Sequence, residues 1–210
     1  MTVQLTMNTA IHAAFRRDLA RFESALASFP AGAQERADRL TVAWDNLADQ
    51  LHHHHEGEET LFWPALQEAG VDLSEFTELE AEHAEMQRAL ATADETMKAL
   101  AAAPTAESAA TAHAAVQRLQ EVLLAHLDHE ERDLEPLTIA HFTSPPFAAA
   151  RKAMRKRHPG TVGTLVAWLL DGAGPEARAA LHQEVPAPVV FVINRIGGRH
   201  YRREIAPTWS

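Results

Sequence analysis

Apolar residues recur at three- and four-residue spacing through four long stretches of the chain, 8–29, 33–69, 74–103 and 105–140. That spacing gathers them on one face of an α-helix. The punctuation agrees: Pro30-Ala31-Gly32, Gly70 and Pro104 stand where the periodic runs end, and glycine and proline stop helices. Ser74 and Thr105 occupy the expected N-cap positions of the third and fourth helices. Pro64 and Pro136 fall inside the second and fourth stretches. Each should kink or loosen the last turns, because proline removes a backbone donor and crowds the preceding turn. The connections are only a few residues long, so successive helices run antiparallel. The expectation is an all-α chain with an up-down-up-down four-helix bundle.

Ser144-Pro145-Pro146 breaks this register, and the remainder of the chain is shorter in period and more basic. Helices are expected at about 147–157, 161–171 and 175–184, the last with Pro175 in its first turn. PVVFVINRIG at 188–197 reads as a short helix in preference to a strand. Residues 1–144 carry 9 Lys+Arg against 25 Asp+Glu, a net −16, whereas 145–210 carry 10 against 4, a net +6. Such asymmetry suggests one unit resting on another. The expected division is a bundle at 1–143 and a smaller, mostly helical extension at 144–210. The extension is too small for a core of its own. It should dock through LVAWLL (165–170) and VVFVI (189–193).

Composition narrows the chemistry. The chain has no cysteine among 210 residues, which excludes disulfides, thiolate metal sites and cysteine nucleophiles. Any metal must sit among imidazoles and carboxylates, a set that suits iron, manganese or zinc. No apolar run reaches the roughly 18–20 residues a bilayer requires, and MTVQLTMNTA lacks the features of a secretory leader. A cytoplasmic protein without membrane partners is expected. There is no phosphate-binding loop, no nucleophile triad and no basic stripe interleaved with aromatics, so nucleic acid is not an expected partner. Nothing in the sequence fixes an oligomeric state.

Thirteen histidines are many for this length, and they cluster. When LHHHHEGEETLFWPAL (51–66) is aligned with LAHLDHEERDLEPL (124–137) on Pro64 and Pro136, His54 falls on His126, Glu58 on Glu130 and Glu59 on Glu131. A four-residue separation places His and Glu on one helix face, a turn apart. That face is also the apolar one: Leu47, Leu51, His54, Glu58 and Leu61 share a stripe, as do Leu119, Leu123, His126, Glu130 and Leu137. A lone buried carboxylate is costly or forced neutral, and a divalent cation removes the penalty. His12 among Ile11, Phe15 and Leu19, and His83 among Leu79, Met86 and Leu90, add one histidine from each remaining helix. His12, His54, Glu58, His83, His126 and Glu130 could thus hold two ions. A core histidine or a solvated polar run explains any one piece alone; repetition of the pattern on two apolar stripes favours metal. His55 with Glu59 has the same spacing on an adjacent face and stays open as the second-helix pair, as does Glu131 beside Glu130. His52, His53 and His129 are expected at the surface or supporting the ligands, and His113 in solvent.

These residues together resemble the hemerythrin-like family, or HHE cation-binding domain, over about 8–141. The resemblance implies a non-heme diiron centre in which Glu58 and Glu130 bridge or cap the irons and the histidines are terminal ligands. It also implies a small oxidant as partner: dioxygen, peroxide or nitric oxide. Oxygen-carrying members have a further histidine four residues after the one in the third helix, where this chain has Gln87. That departure suggests an extra open position and redox turnover over storage. The alternative is a non-catalytic iron- or oxygen-sensing module. Ferritin-like proteins, the nearest rival, use Glu-x-x-His on two helices; here only Glu80–His83 fits that spacing, and His precedes Glu in both strong motifs. A further expectation is that the extension restricts the path to the irons, with His158, His182, His200 or Tyr201 lining it.

Overall fold

The computed structural model describes residues 5–72, 77–157 and 160–209. Helices α1 (Met7–Ala27), α2 (Gln34–Gly57), α4 (Thr77–Ala102) and α5 (Ala106–His129) form the bundle. Helix α2 continues through a π-helical turn, Glu58–Phe62, into α3 (Trp63–Glu68). Helix α5 does the same through Glu130–Leu134 into α6 (Glu135–His141). Each long helix packs on its two neighbours, α1 on α2 and α5, α4 on α2 and α5. Leu19, Phe22, Leu40, Trp44, Leu47, Met97, Val116 and Leu119 fill the centre and are fully buried. Thr105 caps α5 as its sequence position predicts: its Oγ1 accepts from Ser108 N at 3.0 Å, and Ser108 Oγ accepts from Thr105 N at 3.0 Å. Ser74 lies outside the described residues.

The two prolines produce a wider turn, not a bend alone. Trp63 N–H reaches back to Glu58 O, and Glu135 N–H to Glu130 O. Those bonds span five residues instead of four, the π-helical pattern. Proline lacks the N–H that an α-helical bond needs at positions 64 and 136. The extra residue in each turn accommodates that gap just after the two glutamates.

The remaining helices are α7 (Pro145–Arg157), α8 (Val162–Leu170), α9 (Pro175–Glu184) and α10 (Ala187–Gly197), close to the expected spans. Gly163 and Gly197 let α8 and α10 cross in backbone contact: a Cβ at Gly163 would stand 2.2 Å from Gly197 C. The main apolar core runs from the bundle into the extension, taking in Trp168, Ala180, Leu181, Tyr201 and Ile205. Beyond α10, the chain ends along α1 and α2. Trp209 meets the Phe22 ring at 5.0 Å, and Thr208 Oγ1 donates to Arg39 O at 3.1 Å.

A buried polar cluster joins the two parts. Asp18, 2% exposed, accepts from Trp168 Nε1 at 2.7 Å and Arg17 Nε at 2.7 Å. Arg17 also donates to Trp168 O and Asp171 O. Arg21 bridges Asp18 and Asp171, and Tyr201 OH donates to Asp171 at 2.9 Å. Burial pushes the Asp171 carboxyl up, but Arg21 and the Tyr201 hydroxyl hold it below its usual range. Asp18→Ala removes the acceptor these donors share. A loss of about 3 kcal/mol is expected, read as a melting temperature roughly 6–12 °C lower.

One docking expectation needs correction. LVAWLL is covered, with Val166, Ala167, Trp168 and Leu169 buried. VVFVI is not: only Val190 is buried, while Val189, Phe191 and Val192 are 46%, 68% and 52% exposed. Helix α10 rests mainly on α8, so one stripe of an 11-residue helix is covered and the others face outward.

Candidate metal centre

Helices α2 and α5 deliver their histidines and glutamates where the π turns begin, and α1 and α4 add one histidine each. His12, His54, Glu58, His83, His126 and Glu130 are all buried, and all come together between the four long helices. Two groups of ligand atoms form, each with its atoms within 4.8 Å of one another. One is His12, His54, Glu58 and Glu130; the other is His55, Glu58, His83 and His126. Glu58 belongs to both. Its Oε1 lies 3.2 Å from His54 Nε2 and its Oε2 3.7 Å from His83 Nε2. Glu130 Oε2 likewise stands between His12 Nε2 at 3.4 Å and His126 Nε2 at 3.7 Å. Both carboxylates therefore straddle the two histidine groups.

The outer nitrogens are held by a ring of carboxylates. Nδ1 of His12 lies 2.9 Å from Glu131, Nδ1 of His83 2.7 Å from Glu59, and Nδ1 of His126 2.9 Å from Glu82. An ionised carboxylate only accepts, so each Nδ1 carries a proton and each Nε2 faces inward. This is the arrangement that fixes metal-ligating imidazoles. Arg16 anchors Glu131 at 2.6 Å, and Glu82 also accepts from His129 Nδ1 at 2.8 Å. Trp63 stacks on the His83 ring at 4.9 Å.

The inner atoms lack partners. Nε2 of His12, His54 and His55 and all four oxygens of Glu58 and Glu130 make no hydrogen bond although buried. His83 Nε2 and His126 Nε2 face each other at 3.2 Å, two lone pairs when both Nδ1 atoms carry the protons. Buried polar atoms are rarely left in this condition, and a cation satisfies them all at once. The ionisation pattern fits. Burial, then the Glu130 charge, pushes Glu58 well above the usual carboxyl range. Burial also pushes Glu130 up, but His12 and His126 bring it below that range. His12, pulled down by burial and up more strongly by Glu130 and Glu131, is raised to about 9. Burial and neighbouring imidazoles keep His54 and His55 well below 6.5, hence neutral and ready to donate lone pairs. The donor set is imidazole and carboxylate throughout, suited to iron, manganese or zinc. The two clusters are consistent with a diiron or other divalent-metal site.

The hemerythrin HHE cation binding domain matches residues 6–138. The chain belongs to that family. Among curated proteins and among solved structures, none matches it. Within the hemerythrin-like fold, the adjacent residues left open in sequence take different places. Glu58 and Glu130 face inward, while Glu59 and Glu131 sit outside, each on a histidine Nδ1. His54 and His55 both face inward, so the second helix supplies two histidines instead of one. His55 and Gln87 line the same pocket, His55 from the second helix and Gln87 from the third. Glu82 and Trp63 carried no sequence signal: one belongs to an acidic run, the other to an apolar one. His113 is half-buried rather than in solvent. His182 and His200 are exposed, and Tyr201 is tied to Asp171; His158 lies outside the described residues. The part of the extension beside the centre is α7, whose Met154 lies on Gly57 and whose Arg157 donates to Thr60 Oγ1 at 2.8 Å.

Proposed function

We propose that this hemerythrin-like chain holds two iron ions in one dinuclear centre and reacts with a small oxidant: dioxygen, peroxide or nitric oxide. Residues 1–143 carry the centre in this reading, and 144–210 form the extension packed on it. His12, His54 and Glu130 serve one ion, His55, His83 and His126 the other, and Glu58 both. The carrying observation is the seven-residue buried cluster whose inward atoms have no other partner. Manganese or zinc fits the same donors; the family match favours iron. Iron, when bound, supplies redox chemistry and a place for an oxidant atom to bind. The chain's own part is positional and protonic. Glu59, Glu82 and Glu131 hold the Nδ1 protons and so keep each Nε2 turned inward; His12 gives up its second proton as a cation binds. Glu58 holds a proton without a cation and gives it up as one binds. Trp63 stacks on the His83 ring and covers that face of it.

A second reading, an iron- or oxygen-sensing module, is favoured by the contact of α7 with the π turn beside Glu58. Repeated peroxide consumption by the iron-loaded chain supports turnover; a single oxidation followed by silence supports sensing.

The test of the centre is elemental. After anaerobic iron loading, about two irons per chain are expected, and none bound sinks the reading. His55→Ala should reduce this to about one. Gln87→His in the same background should restore it, since residue 87 lines the same pocket as His55. Two irons retained in His55→Ala would remove His55 from the ligand set.

A further inference from the structure

A pocket opens between α2 and α4 beside the three-histidine group. Its volume is about 120 Å³, several times what one water requires. Gln87 and Glu59 stand exposed at its mouth, Leu90 is half-buried on its wall, and Leu51, His55 and Met86 are buried at its floor. The His55 ring separates this floor from the centre: its far side meets the His83 ring at 4.2 Å between centroids. The pocket exists because the histidine that faces this gap comes from α2. A histidine at position 87 would fill it from α4.

We propose that a small neutral oxidant of the hydrogen peroxide class reaches the metal centre through this pocket, docking between Glu59 and Gln87 with His55 as the inner wall. The inference rests on the proposed dinuclear centre and adds the route and the class of guest. The mouth carries one acceptor and one amide. Glu59 uses Oε1 for His83 Nδ1–H, leaving Oε2 for a guest O–H. The Gln87 side chain, exposed on α4, makes no hydrogen bond to another described side chain or backbone group, so its NH₂ is available to a guest oxygen. Peroxide donates and accepts at once and satisfies both. Glu56 also lines the pocket but is paired with Arg157 at 3.8 Å, so the Glu59 carboxylate is the charge that disfavours anions such as superoxide or azide at the mouth. Because Glu59 holds His83, a docked guest touches the support of a ligand before it meets the centre.

Met86 provides a readout independent of iron. It lies at the pocket floor, whereas Met97 is equally buried in the main core: 1% and 0% exposed. Peroxide that enters transfers one oxygen to the thioether, leaving sulfoxide and water as the O–O bond breaks. In the metal-free full chain, mass spectrometry should find Met86 oxidised about tenfold faster than Met97. Leu90→Trp fills the pocket and should bring the two rates together. In the iron-loaded chain, the same variant should slow oxidation of the reduced centre by hydrogen peroxide about tenfold at unchanged iron content. Gln87→Leu, an exposed change that threatens folding least, should slow it about 2- to 10-fold, the worth of one neutral hydrogen bond. Equal oxidation of Met86 and Met97, or peroxide rates indifferent to both variants, overturns the route. Absence of bound iron overturns the dinuclear reading instead, and the methionine comparison still decides entry.

Discussion

Glu58→Ala is expected to empty both halves of the centre, whereas Glu59→Ala, one residue away, is expected to leave both ions bound. Glu58 is the one residue common to the two groups, and it is 4% exposed. Its oxygens lie 3.2 Å from a histidine of one group and 3.7 Å from a histidine of the other. Without it, each group keeps three donors, but the charge that neutralises two cations in an apolar interior is reduced to Glu130 alone. Glu59 acts through His83 Nδ1 from outside, and loss of such a partner lowers metal affinity about 10–100-fold without removing a ligand. At saturating iron, elemental analysis should therefore read near zero for Glu58→Ala and about two for Glu59→Ala. Thermal melting gives a second check. A ligand at 100 times its dissociation constant stabilises by about 2.7 kcal/mol, so iron should raise the melting temperature of wild type and Glu59→Ala but not of Glu58→Ala. Two ions retained by Glu58→Ala would falsify the shared-ligand assignment.

The two strongest His–Glu pairs were legible because a four-residue period, an apolar stripe and a proline mark all repeat in the second and fourth helices. The repeat even marks the π turns, which occupy the same offset from both glutamates. Proline predicts a disturbed turn there; whether the helix bends or takes in an extra residue depends on what packs beyond it. His55 was harder for a geometric reason. Adjacent helical residues point about 100° apart, so a single apolar stripe admits one of them. Helix α2, however, packs between α1 and α4. His54 turns toward His12 on α1, with rings 5.2 Å apart, and His55 toward His83 on α4, with rings 4.2 Å apart. The centre subtends both directions. Glu82 was hidden for the opposite reason: charges on an exposed helix face carry no spacing that distinguishes a histidine's support from a solvated residue. The exposed face of α10 shows the limit of hydropathy, since an apolar pentapeptide cannot report which side finds a neighbour.

A chain ending at Thr143 is expected to lose solubility and thermal stability while keeping every proposed ligand. All seven inward residues lie between His12 and Glu130, and among the described residues of the extension none joins either cluster. The extension covers the flank of α1 and α2. Trp168 packs on Phe15 at 5.2 Å and is itself fully buried; Trp209 packs on Phe22, which in turn meets Trp44 at 5.3 Å. Removing these rings exposes an apolar strip on a bundle whose net charge is −16. Surface attraction between that charge and the basic extension is weak in physiological salt, so burial and the Asp18 cluster dominate the docking. Deleting one buried tryptophan costs about 3–5 kcal/mol, and truncation removes Trp168, Tyr201 and Ile205 together. A melting temperature lower by more than roughly 10 °C is expected, with aggregation at concentrations the full chain tolerates. Trp168→Ala, which keeps the rest of the extension, should show the same direction at smaller size. Iron stoichiometry in whatever truncated material stays soluble should remain about two per chain, since α7 supports the π turn at Gly57 and Thr60 but supplies no ligand. A truncated chain that equals the full one in melting temperature and solubility would show that the bundle closes its own flank and that the extension serves something other than stability.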